Sequence, residues 1–254
     1  MENNEIKYGQ MNFNLPHDVV PLPSQGLFYK NKKKSVKVGY LTAQDENLLM
    51  SNNLQGAELM IQLIRSKLYE PEMKIEDLMV GDIEAILIFL RNTAFGTKYD
   101  ITMLDPTTNK RFNAYLDLGE LNIKQLDSAP DANGYFTTTL PVSKDNVQVR
   151  LLTFGEDAKI DKELNAYPNI ITKPVVTRKL EEQIVSINGS NDRNTISTYL
   201  NSMPIADSKY LRKFLRDVEP RLELTKKIQT PSGELIDANI NFGVEFFRPF
   251  FSTL

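Results

Sequence analysis

The chain has 254 residues, with no cysteine, no tryptophan, one histidine and a formal charge of −3. Zero cysteines exclude disulfides, thiolate metal sites and cysteine nucleophiles, and a single histidine excludes any mechanism that needs two imidazoles. With 41% apolar and 25% charged residues, the composition is that of an ordinary water-facing chain long enough to bury a core, and its mildly acidic balance argues against wholesale nucleic-acid binding.

Residues 1–35 read as an extended arm and hairpin. The opening MENNEIKYGQ lacks the basic-then-apolar layout of a signal peptide. LPHDVVPLPSQGLFYK carries three prolines, each fixing φ and removing a backbone donor, which disfavours a helix. GLFYKNKKKSVKVGYL then places apolar and β-branched residues on both sides of a lysine-rich centre, a hairpin signal. Lys30, Lys32, Lys33 and Lys34 lie at or near its tip. They form either a solvated turn or a contact for an acidic partner surface.

Helical spacing follows over Asp45–Met50, Gly56–Leu68 and Ile83–Asn92. The third is apolar on nearly all sides and is expected to be buried on nearly all sides. Asp82 suits its N-cap and Gly96 its stop. Ile83–Leu90 is the most apolar run, contains Glu84, and is far shorter than the roughly 20 residues of a membrane span. After Gly96 the period shifts toward two: Tyr99, Ile101 and Met103, the turn DPTTN, then Phe112, Ala114 and Leu116. Residues 119–146 read as a connector with a small strand, YFTTTLP. Helices are expected over Lys179–Val185, Thr195–Leu200 and Ser208–Val218, and a last hairpin over Leu222–Phe246.

Much of this is said twice. VKVGYLTAQDE (Val36–Glu46) and VQVRLLTFGED (Val147–Asp157) each run as an alternating strand, Leu-Thr, and an acid three residues after the Thr. Thr42 with Asp45, and Thr153 with Glu156, fit the reciprocal box in which the Thr caps a helix and the acid reaches back to the Thr N–H. Asp82 precedes FLRN as Asp207, the matching cap candidate, precedes FLRD, and Pro106 and Pro231 mark the following turns. Helix and turn recur 125 positions apart and the first motif 111 apart, so an insertion of about 14 separates the landmarks. The expected fold is α+β: two pseudo-repeated units of strand, capped helix, helix and two-stranded knuckle, over 36–118 and 147–254, behind an extended N-terminal arm.

The chain carries no P-loop, Gly-rich dinucleotide turn, HExxH or GxSxG elbow. Its neighbouring acids read as caps and solvated faces, and His17 has no second imidazole to work with, so no catalytic residue, metal ligand or cofactor is expected. The end of the chain is different: FGVEFFRPFFSTL places Phe242, Phe246, Phe247, Phe250 and Phe251 within ten residues. That much aromatic surface must be buried, in the chain's own core or in a neighbour, where Arg248 would also be favoured.

The sequence resembles the baseplate hub family of T-even-like contractile-tailed bacteriophages, which includes a hub subunit and a hub assembly factor. The resemblance lies in LPSQGLFY (Leu22–Tyr29), the stretch Val36–Ser51, GDIEAILIFLRNTAFGTKYD (Gly81–Asp100) and FFRPFF (Phe246–Phe251). It implies a non-enzymatic structural component of the tail baseplate, in the virion and in host cytoplasm during assembly. The partners would be other baseplate or hub proteins in a large symmetric assembly, with neither membrane nor nucleic acid. The alternatives are a hub chaperone absent from the mature virion and, less in keeping with the residues, a nucleic-acid module using the lysine hairpin. Family members often carry Cys-x-x-Cys-Gly knuckles that imply zinc. Here those turns read DPTTN and TPSG, so strand pairing and packing alone are expected to hold them.

Overall fold

Alternation of buried valines with solvent-facing polar residues opens both halves of the molecule. The computed structural model describes residues 7–8, 11–12, 16–50, 57–126, 128–168, 172–240, 242 and 246–247. Strands β1 (Lys7–Tyr8) and β2 (Met11–Asn12) make a short antiparallel pair. Strand β3 (His17–Pro21) pairs with β4 (Ser35–Gly39), placing Val20 opposite Val36. Val36 and Val38 are fully buried while Lys37 between them is exposed, as the period of two requires.

Helices α1 (Ala43–Met50) and α2 (Ala57–Lys67) follow, and the chain then returns to β4: Leu68 bridges Val38, and the Tyr69 N–H donates to the Lys37 carbonyl at 2.9 Å. A single 3-10 turn, Ile75–Asp77, leads into α3 (Val80–Phe95), which ends at Gly96 with φ of 80°. The hairpin β5 (Lys98–Leu104) and β6 (Arg111–Asp117) closes the first half.

The second half repeats the order. Strands β7 (Tyr135–Thr139) and β8 (Asn146–Arg150) pair, with Val147 and Val149 fully buried. Helices α4 (Phe154–Asn165) and α5 (Val175–Gln183) come next, and β9 (Ile184–Ile187) returns to β8 as Leu68 returns to β4. Helices α6 (Arg193–Ser202) and α7 (Ile205–Asp217) and the hairpin β10 (Thr225–Gln229) with β11 (Leu235–Asn239) complete it. The extra length of the second copy is largely α6, which stands where the first copy has only its 3-10 turn.

Strand pairing draws two segments out of the places the sequence suggests. His17–Pro21 belongs to the first sheet rather than to an arm, because its proline sits at the end of an edge strand where no ladder donor is needed. Tyr135–Thr139, read as part of a connector, opens the second unit as the partner of β8. The lysine-rich hairpin also differs: the strand before it is His17–Pro21, and residues 22–34 fold into successive turns with Gln25, Gly26 and Lys32 at positive φ.

One continuous apolar core runs through both halves, taking Val36, Val38 and Leu63 from the first and Val147, Val149 and Leu211 from the second. A small satellite joins Leu152, Ile160 and Leu164. Helix α3 is the centre of the main core, with every residue from Gly81 to Ile88 buried. The halves meet at its N-terminus, where Met79 bridges Thr153 and the Phe154 N–H donates to the Leu78 carbonyl at 2.8 Å. Gly81 lies so close to the other half that a Cβ there would sit 2.1 Å from the Pro220 carbonyl oxygen.

Candidate functional site

Two helices, α3 and α7, each carry a buried aspartate in the first turn that makes long-range hydrogen bonds. The sequence places Asp82 at the N-cap of its helix. The cap residue is instead Met79, and Asp82 stands inside the first turn with its carboxylate turned toward the loop after β3. One oxygen accepts the Ser24 N–H at 2.9 Å and the other accepts the Tyr29 hydroxyl, which itself accepts the Met79 N–H at 2.9 Å. Burial, then the adjacent Asp82 charge, pushes the Tyr29 phenol far above its ordinary value, and burial also raises the Asp82 carboxyl. This clasp fixes LPSQGLFY onto α3. Phe28, next in the same loop, packs on Phe136 at 6.1 Å and so reaches the second half.

Asp207 repeats the arrangement and the correction. Pro204 occupies the cap position of α7, and Asp207 accepts the N–H groups of Val142 (2.8 Å) and Ser143 (3.0 Å) in the loop after β7. Tyr199 donates to Asp145 at 2.7 Å beside it, its phenol pushed up to about 12 by burial first and the Asp145 charge in addition. Thus each unit ties the loop after its first strand to the helix of its second landmark.

The capping boxes differ. Thr153 and Glu156 make both reciprocal bonds, Glu156 N–H to Thr153 Oγ1 at 3.3 Å and Thr153 N–H to Glu156 Oε2 at 2.9 Å. Thr42 and Asp45 make only the second kind: the Thr42 N–H and hydroxyl both donate to Asp45, at 2.7 Å each. Asp45 is also ion-paired with the buried Lys67, which draws its carboxylate to the end of α2.

The paired knuckles are held by more than strands and packing. Asp105, buried at the DPTTN turn, accepts the Thr107 and Thr108 N–H groups and, from the other knuckle, the Ser232 N–H (3.1 Å) and hydroxyl (2.9 Å). Burial acts to raise this carboxyl, but the four donors prevail and hold it below the usual range. Neither turn offers a thiolate or imidazole, and the Asp105 oxygens are taken, so this donor set does not fit a zinc ion. Among the described residues no group of three or more potential ligands is assembled elsewhere.

Two buried charges that the periodicity does not single out belong to the same network of long-range ties. Glu84 pairs with Arg221 of the other half. Arg91, 1% exposed, donates to the carbonyls of Gly96 (2.7 Å) and Lys98 (3.0 Å), and its guanidinium lies over the rings of Tyr99 (5.1 Å) and Phe246 (5.6 Å). Their signal is present in the sequence: a charge set into an apolar helical run must find a partner elsewhere in the fold.

The interface candidates separate accordingly. Phe246, against Tyr99, Phe242 and Arg91, and Phe247 beside it are buried in the chain's own core; of the two places the sequence leaves open they take the first, which corrects their candidacy as partner contacts. Arg248, Phe250 and Phe251 lie outside the described residues. Lys30, Lys32 and Lys34 are exposed, whereas Lys33 is ion-paired with the largely buried Glu70. Glu70 also accepts the Lys37 N–H at 2.8 Å. The tip is therefore not uniformly solvated.

These contacts set measurable expectations. The double variant Lys32→Ser/Lys34→Ser is expected to shift unfolding free energy by less than about 0.5 kcal/mol in a urea titration, as for other exposed substitutions. Tyr29→Phe, which leaves the Met79 N–H and one Asp82 oxygen without their partner, is expected to cost about 2 kcal/mol by the same measurement.

Acid is expected to act through Asp207. Burial pushes its carboxyl upward, but the Val142 and Ser143 N–H groups prevail and hold it below the usual range. A carboxyl lower in the folded than in the unfolded chain contributes stability above its unfolded value of about 3.9, lost as pH falls through the folded one. Asp207→Asn is therefore expected to flatten the loss of stability below about pH 4. An unchanged acid limb in thermal melts would contradict this.

A family model described as T4 bacteriophage base plate protein covers residues 26–246. No curated protein and no solved structure matches the chain.

Proposed function

Since the chain belongs to the T4 bacteriophage base plate protein family, we propose that it serves as a non-enzymatic component of the hub region of the baseplate. As a phage baseplate protein its place is the virion tail, and its partners are other baseplate proteins. The finer reading is that it acts by shape and surface, joining hub subunits while the tail is built.

The observation that carries this reading is the use made of the buried polar groups. Asp82, Asp207, Asp105, Glu84 and Arg91 are each engaged by backbone or side chains of this chain, and each ties together segments distant in sequence, Arg91 through the ring of Phe246. Groups so occupied serve rigidity. A rigid body with pre-formed faces loses less entropy on docking than a flexible one, which is the property an assembly component needs.

Quantitative mass spectrometry of purified tails against lysate of infected cells tests the proposal. The expected result is this chain in mature tails at a fixed integer ratio to the tail-tube protein. Its presence only in lysate, bound to hub precursors, would replace the structural role with that of an assembly chaperone.

A further inference from the structure

The two copies of the repeat treat the same helical stripe in opposite ways. On α3 the residues Val80, Glu84, Leu87 and Arg91 lie at i, i+4, i+7 and i+11, on one side of the helix over about 16 Å. Other parts of the chain cover this stripe from Glu84 to Arg91. Pro220 and Arg221 sit against Gly81, Arg221 pairs with Glu84, and Phe246 lies over Arg91. The matching positions on α7, 125 residues later, are Ile205, Lys209, Arg212 and Arg216. Nothing among the described residues covers them in the same way: Ile205 is 74% exposed, and Lys209 and Arg216 are exposed.

This stripe continues into a groove of about 390 Å³ floored by Val80, Leu151, Val175, Val176, Leu180 and Leu215. Val175 and Val176 are 44% and 39% exposed at its mouth. The acids nearby are already engaged. Asp157 pairs with Lys179 at 2.7 Å, Glu219 with Arg221 at 3.6 Å, and Asp217 with Lys213 at 2.6 Å. Arg212 and Arg216, which form one wall, make no ion pair among the described residues; Arg212 donates only its Nε–H to the Ser208 carbonyl.

Resting on the baseplate reading above, we propose that the α7 stripe and its groove dock an apolar segment of another baseplate subunit that carries carboxylates along one edge. The apolar side chains would fill the groove over Val175 and Val176, and the carboxylates would meet Arg212, Arg216 and Lys209. The charge reverses at one position of the stripe: α3 presents Glu84 there and receives an arginine, whereas α7 presents Lys209, with Arg212 and Arg216 beyond it. An arginine fork takes a carboxylate in two parallel hydrogen bonds, so the site also fixes orientation.

The test is complementation of a phage carrying an amber codon in this gene by plasmid-borne full-length variants, with infectious yield as readout. Wild-type chain restores yield if the baseplate reading holds; if the amber phage assembles tails without help, that reading fails on its own. Arg212→Glu/Arg216→Glu is expected to keep the wild-type melting temperature and to lower rescue about tenfold or more, as charge reversal at a docked pair does. Arg212→Lys/Arg216→Lys, which keeps charge, is expected to retain most of the rescue. Revertants of the glutamate variant are expected to carry an acid-to-base change in another baseplate subunit. Full rescue by the folded glutamate variant would overturn the proposal. So would loss of rescue accompanied by loss of a salt-sensitive gel shift with duplex DNA, which would assign the stripe to nucleic acid.

Discussion

Gly81→Ala is expected to lower the melting temperature by about 6 °C or more, for a loss of at least about 3 kcal/mol in a chain of this size. Two effects of opposite sign compete at this position. Within an isolated helix the change from glycine to alanine would stabilise by about 1 kcal/mol through backbone entropy. Here the new Cβ would stand 2.1 Å from the Pro220 carbonyl oxygen and 2.7 Å from the Arg221 Cα, both backbone atoms that cannot swing aside. The junction between the halves must therefore open, and the Glu84–Arg221 pair beside it is disturbed with it. A melting temperature equal to or above that of the parent chain would show that the halves do not meet closely at this point.

The largest loss is expected from Phe246→Ala/Phe247→Ala. Each ring is fully buried, and truncation of a buried phenylalanine costs about 3–5 kcal/mol. Total stabilities lie near about 5–15 kcal/mol, so the double variant is expected to populate unfolded or loosely packed chain even in dilute buffer. Phe246 also acts electrostatically. With Tyr99 it faces the Arg91 guanidinium, a buried cation that also donates to the Gly96 and Lys98 carbonyls. Phe246→Leu, which stays apolar but removes the ring, is expected to recover only part of the loss in urea unfolding. If both variants unfold like the parent chain, the two phenylalanines are not part of the core.

How much of this was legible in the sequence depends on the range of the interaction. Alternation located β4, β5, β6 and β8, and uninterrupted apolar character marked α3 as an internal helix, because these signals are written within a few residues. The Thr153–Glu156 box was legible for the same reason: both partners lie within one turn. Asp82 and Asp207 point to the right helices but not to their role there, since the partners of Asp82 lie 58 and 53 residues away and no local rule reports them. Asp105 and Ser232, 127 residues apart, are invisible to periodicity altogether. Strand β3 was hidden by composition, because prolines flank and end it; YFTTTLP was legible as a strand, but its pairing with β8, which takes it out of the connector, was not. The order of motifs, read as a resemblance, carried the family assignment; the residue contacts that hold the knuckles and cover α3 required the fold.

The central claim is that this chain is needed, as a body with docking faces, to build the phage baseplate. Electron microscopy of lysates from cells infected with phage bearing an amber codon in this gene tests it most directly. Complete baseplates and tails are expected to fail to accumulate without suppression and to return when the full chain is supplied. Normal numbers of intact tailed particles in the unsuppressed lysate would contradict it.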